Sequence, residues 1–220
     1  MDLKLIYGNM RALCEAPQMM LHYADIPYEY KMVWDHYGSS WAEVKKDIIF
    51  NRLPILIINE DKYLWQSNTI IRYLSNLTKT KPSDEFQLAY CDAVFESTHE
   101  MFSPLNPTIN MTFGEKYNSN KKKLLEDILP NALNNFEKLL QNSSGNFFIG
   151  NDPFYCDFNA YHHFSMCLIL DKNIFSNFPN LKKFINNFEK LNNIKKYLDG
   201  RPELVELGKS PLFLLHGKKI

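Results

Sequence analysis

The sequence predicts an α/β domain with a four-stranded mixed sheet, followed by an all-α domain. Three observations carry this prediction. Short strand-like and helix-like segments alternate over residues 1–76, a polar segment with Pro82 covers 77–85, and helical periodicity without strand patterns fills 86–220. We therefore expect a first domain over 1–76, a linker over 77–85 and a helical domain over 86–220.

The first domain reads as six elements in chain order. Strand patterns alternate with helical spacing in the order β-α-β, an irregular segment, then β-β-α, which is typical of a thioredoxin-like sheet. The six segments are Lys4–Tyr7, Glu15–Ala24, Pro27–Val33, Ile55–Ile58, Lys62–Trp65 and Ser67–Leu77.

Four helices are expected in the second domain, at Phe86–Phe102, Lys121–Gln141, Asp157–Leu170 and Leu181–Leu191. Pro104 and Pro107 should end or kink the first of them, because proline lacks the backbone donor that a helix interior needs.

Composition limits the function classes. The 220 residues hold 25 Lys+Arg and 25 Asp+Glu, so the net charge is zero, which argues against a nucleic-acid binder. Hydrophobic residues reach 45% and aromatic residues 14%, as expected of a globular protein with a large core. No apolar run is long enough to span a bilayer, and no signal peptide is recognisable, so we expect no membrane partner and a cytoplasmic location.

The four cysteines, Cys14, Cys91, Cys156 and Cys167, lack the spacing of a metal site or a CxxC redox pair. They are predicted to be buried, reduced thiols.

Two features of the first domain suggest a ligand site at one sheet edge. Tyr7 ends the first strand, where ligands of α/β sheets often bind, although a tyrosine that only packs is the simpler interpretation. Leu53-Pro54 directly precedes a buried strand. A cis bond there would leave the Leu53 backbone free to pair with a peptide-like ligand.

Further residues could hold carboxylates. Ser67 opens a helix and either caps it or, together with the free amides of the first turn, binds an anion. Trp41, Lys45 and Arg52 combine an aromatic donor with two cations, which would suit a second carboxylate. Ordinary surface exposure explains each of these three equally well.

Taken in register, these motifs resemble the cytosolic glutathione transferases. The first domain is similar to the sigma class, and part of the second domain is closer to the mu class. The sigma-like segments are Lys4–Arg11, Tyr23–Glu29, Trp41–Lys45, Leu53–Leu56, Gln66-Ser67, Ile71–Leu74, Cys91–Val94, Phe148–Asn151 and Cys156–Phe158, and the mu-like segment runs from Phe178 to Ile194.

The resemblance implies a role for each matching residue. Tyr7 would be catalytic and donate a hydrogen bond to the sulfur of glutathione, the co-substrate. Glu96 would reach the glutathione amine of the partner subunit in a homodimer. The implied glutathione-binding residues are Tyr7, Trp41, Lys45, Asn51, Arg52, Leu53, Gln66, Ser67 and Glu96.

A small hydrophobic electrophile is the implied second substrate, either conjugated or isomerised. The candidates for its pocket are Gly8, Met10, Leu13, His99, Phe102 and Phe213, and the tail over 203–220 could close over it. No structural metal is expected, because Phe95 interrupts the acidic cluster in which some sigma proteins bind an ion.

Three positions depart from the family pattern. Leu13 stands where sigma enzymes carry an arginine that supports the thiolate, and Arg11 is a possible replacement. Gly8 replaces an aromatic residue, and Phe154 replaces the Ser or Thr that usually caps the helix before Asp157.

Two other functions remain open from the sequence. A non-catalytic relative, such as a crystallin-like or ligand-carrier protein, is favoured by Leu13 and opposed by Tyr7 with Gln66-Ser67. A thioredoxin-type redox enzyme would need a low-pKa cysteine at the first helix, where only Cys14 lies.

Overall fold

The computed structural model describes residues 1–8, 10–112 and 114–201. Its sheet has four strands in the order β2-β1-β3-β4, with β1 and β2 parallel and the other two pairs antiparallel. The strands are β1 Leu3–Tyr7, β2 Glu29–Met32, β3 Ile55–Ile58 and β4 Lys62–Trp65. The predicted thioredoxin-like mixed sheet is confirmed, and the limits of β3 and β4 agree with the sequence pattern.

Strand register brings four chain segments to one edge of the sheet. Tyr7 at the end of β1 pairs with Met32 at the end of β2. Ile55, the first residue of β3, pairs with both Ile6 and Trp65. The segments that follow β1, β2 and β4 and the one that precedes β3 therefore meet at this edge.

Helices cover the sheet and replace the expected irregular segment between β2 and β3. The first domain contains α1 Glu15–Tyr23, α2 Val33–Tyr37, α3 Trp41–Val44 and α4 Ser67–Leu77, with 3-10 turns at Ala12–Cys14, Lys45–Asp47 and Ile49–Asn51. Residues 78–84 then lead into the second domain without helix or strand.

Beyond residue 84, every regular element in the described part of the chain is a helix, as predicted. These helices are α5 Glu85–Met111, α6 Gly114–Lys123, α7 Leu129–Gln141, α8 Tyr155–Leu170, α9 Pro179–Glu189 and α10 Asn192–Gly200. The sequence pattern had not indicated α10.

Pro104 and Pro107 do not end α5, which corrects the prediction that the helix stops near Phe102. Residues Met101, Phe102, Leu105 and Ile109 are buried along the same helix, so tertiary packing outweighs the lost backbone hydrogen bonds. The Thr108 hydroxyl also donates to the Pro104 carbonyl at 2.9 Å, which satisfies one acceptor within the proline-containing turn.

The single helix expected over Lys121–Gln141 is interrupted by a π-helical turn at Leu124–Ile128. The Leu129 amide bonds the Leu124 carbonyl, one residue further back than in an α-helix. Pro130 follows at once and has no amide to donate. The wider turn therefore lies where an α-helical ladder would lose a donor.

Helix α8 runs through the centre of the helical domain and is buried along nearly its whole length. Its first turn depends on Asp157, whose carboxylate accepts the amides of Phe148 at 3.1 Å and Phe154 at 2.8 Å. The Asp157 half of a capping box is thus present. The phenyl ring of Phe154 cannot accept a hydrogen bond, as the sequence indicated.

Within the described ranges, no helix is both long and apolar enough to cross a bilayer.

Candidate functional site

Tyr7 is almost fully buried, with 5% of its surface exposed, at the sheet edge where the loops meet. Its hydroxyl oxygen accepts a hydrogen bond from the Leu13 amide at 3.3 Å. Burial raises the pKa of the Tyr7 phenol above its usual value, while the Leu13 amide lowers it. The phenol is therefore protonated at neutral pH, and its own proton can be donated to a ligand.

The loop after Tyr7 turns back over the end of β1. Ala12 has a φ of 26°, an unusual backbone conformation for a residue with a side chain. The Tyr30 hydroxyl of β2 donates to the Gly8 carbonyl at 2.8 Å and holds the beginning of this loop. The loop thereby turns the Leu13 amide back towards the hydroxyl of Tyr7, the last residue of β1.

The Leu53-Pro54 peptide bond is cis, the geometry that the ligand-pairing prediction requires. Leu53 is half-buried and packs with Trp41 against a small apolar cluster under the sheet edge, formed by Ile6, Val33, Ile48, Ile55 and Ile57. The structure thus brings Leu53 and Trp41 together, next to the end of β1.

Ser67 is the first residue of α4 and not its cap, because Gln66 occupies the capping position. No side chain among the described residues caps this helix. Gln66 has a φ of 70°, which is uncommon outside glycine, and its side chain is exposed. The first-turn amides of α4 have no acceptor within the helix, so this helix end offers backbone donors next to the Ser67 hydroxyl.

The predicted polar residues of the β2–β3 connection surround the same edge. Lys45 follows Trp41 by one turn, and its side chain is exposed. Asn51 and Arg52 are exposed immediately before Leu53, and Asn51 has a φ of 50°. Asn51 and Arg52 thus directly precede the residues of the cis peptide bond, whereas Lys45 begins the earlier 3-10 turn Lys45–Asp47.

Glu96 lies on α5, and its carboxylate is paired with the Arg72 guanidinium of the same chain. Arg72 also bonds Asp92 at 2.9 Å, and its guanidinium stacks on the Phe95 ring at 4.9 Å. This arrangement ties α4 to α5. The role that the sequence suggests for Glu96 is contact with a neighbouring subunit. Its carboxylate would have to make that contact while it is paired with Arg72 of its own chain.

The five predicted pocket residues within the described ranges differ in their surroundings. Met10 and Leu13 are half-buried against the main core, and Gly8 is buried beneath Tyr30. Phe102 is stacked on His163 at 4.1 Å and is only 2% exposed. His99 is half-buried beside Phe102. Phe213 and the tail over 203–220 lie outside the described residues.

His162 lies between Phe102 on α5 and the loop that carries Leu13. Its buried ring lies 5.7 Å from that of Phe102, and the Ala12 backbone faces it from the loop. No well-formed hydrogen bond to either ring nitrogen is present among the described residues. Burial lowers the pKa of His162 to about 3, so the ring is neutral at physiological pH.

Sequence reasoning missed the polar contacts that hold the loop from outside the first domain. The carboxylate of Glu15, at the start of α1, is bound by Arg201 and Tyr197. The only available signal was an acidic residue in a position that the helix pattern makes buried.

The cysteines and other possible metal ligands show neither a redox site nor a metal site within the described residues. All four cysteines are buried and free, as expected. Burial raises the pKa of the Cys14 thiol well above its usual value, which argues against the redox interpretation. The described residues contain no group of three or more His, Cys, Asp or Glu side chains arranged to hold a metal ion.

Comparison with known families agrees with this arrangement. Residues 1–76 match the model of the glutathione S-transferase N-terminal domain, and residues 99–201 match that of the C-terminal domain.

Individual relatives extend the similarity along the chain. A glutathione S-transferase of Plasmodium yoelii yoelii is 32% identical over 76% of this chain and 79% of its own length. Glutathione S-transferase P of Caenorhabditis elegans is 29% identical over 91% of this chain and 94% of its own. The solved structure of the Pi-class glutathione S-transferase of Onchocerca volvulus superposes with a TM-score of 0.80 at 26% identity, covering 91% and 94% of the two chains.

These relatives carry Pi-class names or no class name, so the sigma-class prediction is not confirmed by them. Fold, both domain models and the relative from Plasmodium agree on the family. The chain belongs to the glutathione S-transferase family.

Proposed function

We propose that the protein uses glutathione either to conjugate or to isomerise a small hydrophobic electrophile. We further propose that Tyr7 activates the glutathione thiol. One observation carries the proposal: the buried Tyr7 hydroxyl accepts the Leu13 amide and keeps its own proton to donate. Family membership supports glutathione as the co-substrate.

The chemistry follows from the protonated phenol. A free thiol has a pKa of about 8.5, so only a few per cent of it is thiolate at pH 7. A hydrogen bond from Tyr7 to sulfur stabilises the thiolate, and the thiol proton leaves to water. Lowering the thiol pKa by about two units, which corresponds to roughly 2.7 kcal/mol, makes the thiolate the major form. The thiolate then forms a C–S bond with the electrophile, which either expels a leaving group or accepts the electron pair.

The two carboxylates of glutathione have matching partners at the sheet edge. We assign the γ-glutamyl carboxylate to Ser67, Gln66 and the uncapped first turn of α4. The glycyl carboxylate is assigned to Trp41, Lys45, Asn51 and Arg52. The Leu53 backbone, next to the cis bond, would pair with the cysteinyl amide.

We infer a homodimer and a cytoplasmic location. Ile49 and Phe50 are exposed by 53% and 60% at one turn, and an exposed apolar pair of this kind suits a contact between subunits. Glu96 would bind the partner's glutathione through one carboxylate oxygen while the other binds Arg72.

The electrophile pocket is assigned to Gly8, Met10, Leu13, His99 and Phe102, with Phe213 from the tail. No metal is required.

The finer class also remains a proposal. The continuous sigma-like motif from Lys4 to Leu74 supports a sigma-like first domain, and the segment from Phe178 to Ile194 supports mu-like features in the second.

The decisive experiment compares the parent with Tyr7→Phe. Glutathione is bound to each, and the ultraviolet absorbance of the thiolate is recorded against pH, together with turnover of 1-chloro-2,4-dinitrobenzene. We expect Tyr7→Phe to raise the apparent thiol pKa by about two units and to lower kcat near pH 6.5 by about 100-fold. Tyr73→Phe is the matched control, because the one hydrogen-bond contact of the Tyr73 hydroxyl within the described residues is to the Met1 sulfur at 4.0 Å.

An unchanged thiolate fraction and unchanged turnover in Tyr7→Phe would rule out this mechanism. The non-catalytic alternative makes a different prediction: the parent binds glutathione, but the bound thiol titrates as it does in water.

A further inference from the structure

The segment between Tyr7 and α1 is held at both ends by buried polar contacts. At its beginning, the Tyr30 hydroxyl donates to the Gly8 carbonyl at 2.8 Å. At its end lies Glu15, the first residue of α1, with only 1% of its surface exposed. The Leu13 amide, which reaches the Tyr7 hydroxyl, lies between these two anchors.

Both oxygens of the Glu15 carboxylate are bound by residues of the helical domain. The Arg201 guanidinium pairs with Oε1, and the Tyr197 hydroxyl donates to Oε2 at 3.1 Å. Tyr197 belongs to α10, and Arg201 directly follows that helix. An isolated buried carboxylate would be strongly unfavourable, and these two donors give each carboxylate oxygen a partner inside the protein.

Other charged and titratable groups border the cluster. Arg11 is half-buried, and burial together with the charge of Arg201 lowers its pKa, while Glu15 raises it. The Tyr161 hydroxyl of α8 bonds Glu189 at 3.0 Å on the same side. The cluster thus joins α1 to the helical domain through charge-assisted hydrogen bonds, which are stronger than neutral ones.

The opposite end of α1 is held by the same helix. The Asn193 side chain of α10 donates to the Tyr23 carbonyl at 3.2 Å. Helix α10 therefore fixes α1 at its first and last residues, and with it the end point of the loop that carries Leu13.

From this geometry we propose that Arg201 and Tyr197 are positioning residues for Tyr7, acting through Glu15 and the Leu13 amide. Leu13 precedes Glu15 by two residues in the tight turn Ala12–Cys14, so a shift of Glu15 moves the Leu13 amide away from the phenol oxygen. The Leu13 amide stabilises partial negative charge on that oxygen, which is where charge accumulates when the phenol donates to a thiolate. The inference rests on the proposed role of Tyr7.

The test uses the full-length protein with Arg201→Met, Arg201→Lys and Tyr197→Phe. Two quantities are measured: the apparent pKa of bound glutathione thiol by ultraviolet absorbance, and hydrogen exchange of the Leu13 amide by NMR without ligand. For Arg201→Met we expect a thiol pKa higher by about one unit and a kcat at pH 6.5 lower by about tenfold. The KM for glutathione should change by less than about twofold, since the carboxylate-binding edge is untouched.

Conservative variants separate positioning from general loss of structure. Arg201→Lys keeps a cation for Glu15 and should restore most of the thiol pKa. Tyr197→Phe removes one hydrogen bond at constant shape, and should shift the thiol pKa in the same direction by a smaller amount. In both Arg201→Met and Tyr197→Phe the Leu13 amide should exchange at least about tenfold faster, with the Ile57 amide of β3 unchanged.

Lys195→Met is the matched control, because it breaks an exposed ion pair with Asp199 on the same helix. It should alter neither quantity. The proposal is overturned if Arg201→Met and Tyr197→Phe both retain the parent's thiol pKa and Leu13 exchange rate. If Arg201→Met does not fold, Tyr197→Phe decides alone.

Failure of the proposed function is distinguishable from failure of this inference. If the parent itself forms no thiolate, the role of Tyr7 is wrong, and the exchange rate of the Leu13 amide still tests whether α10 holds the loop. If the parent forms thiolate and the variants match it in both measurements, only the positioning role is wrong.

Discussion

The backbone amide of Leu13 donates a hydrogen bond to the hydroxyl of Tyr7 at 3.3 Å. Leu13 thus serves the proposed nucleophile site with its main chain, whereas its side chain is apolar and packs against the core. Because any residue except proline has this amide, the contact does not depend on the leucine side chain. The arginine that the sigma-class resemblance implies at this position would add a charge to it.

That difference predicts a gain in Leu13→Arg. A cation beside the sulfur favours the thiolate, so we expect the bound thiol pKa to fall by about one unit relative to the parent. Ultraviolet titration of bound glutathione measures the shift. Leu13→Met, which keeps an apolar side chain and the amide, should titrate like the parent. An equal shift in both variants would show that packing, and not charge, causes it.

Ser67→Ala should weaken glutathione binding without slowing the chemical step. The hydroxyl is assigned to a ligand carboxylate, and a hydrogen bond to a charged group contributes roughly 1.5–3 kcal/mol. We expect the Kd for glutathione, measured by isothermal titration calorimetry, to rise by at least about tenfold, with kcat little changed. Thr69→Ala on the exposed side of the same first turn is the control. A Kd equal to the parent's would remove Ser67 from the binding site.

Asp157→Ala should strongly destabilise the helical domain. The substitution leaves the amides of Phe148 and Phe154 without their acceptor in a buried region, and each unsatisfied group costs about 1–3 kcal/mol. Urea unfolding should therefore show a loss of roughly 2–5 kcal/mol. The exposed Asp127→Ala should stay within about 0.5 kcal/mol of the parent. A small effect at Asp157 would mean that water replaces the carboxylate.

Mild acid should destabilise the fold through His162 and His163. Burial lowers the pKa of His162 to about 3 and that of His163 well below its usual value. Between about pH 6.5 and 3 the unfolded chain binds these protons and the folded protein does not, so stability is complete above pH 6.5 and falls as the pH falls. Each histidine contributes a slope of up to about 1.4 kcal/mol per pH unit.

Urea titrations at pH 7.5, 6.5 and 5.5 measure this slope. His162→Gln should reduce it, whereas His36→Gln at a half-exposed position should change it much less. Burial raises the pKa of Asp157 to about 7, which gives a slope of opposite sign, but that contribution is the same in the parent and in His162→Gln. A slope in His162→Gln equal to the parent's would therefore contradict the burial of a neutral His162 ring.

Local sequence determined the elements whose patterns are complete in themselves. Strands β3 and β4 and helix α4 begin and end where the periodicity indicates, because a turn at Asn59–Asp61 and the change of period at Ser67 are local signals. The edge that we propose to bind glutathione is predicted from the same patterns. Tyr7, Leu53-Pro54 and Gln66-Ser67 are the residues at strand ends, and strand register brings strand ends together.

The surroundings of single side chains are less predictable from the sequence. Ser67 is expected either to cap α4 or to bind an anion, and the capping position is held by its neighbour Gln66 at a φ of 70°. Phe102 is expected to line the pocket, and its ring is stacked on His163, a contact with a distant helix that no local pattern indicates.

By itself, the sequence determined the family and the mixed sheet, because these depend on motifs and periods within short segments, and the same motifs supply the residues proposed for glutathione. Only the tertiary structure decided that α5 continues through two prolines and that Glu15 meets Arg201, 186 residues away. Burial is the physical reason: it outweighs local helix propensity in α5, and it forces a charged Glu15 to find a cation wherever the chain supplies one.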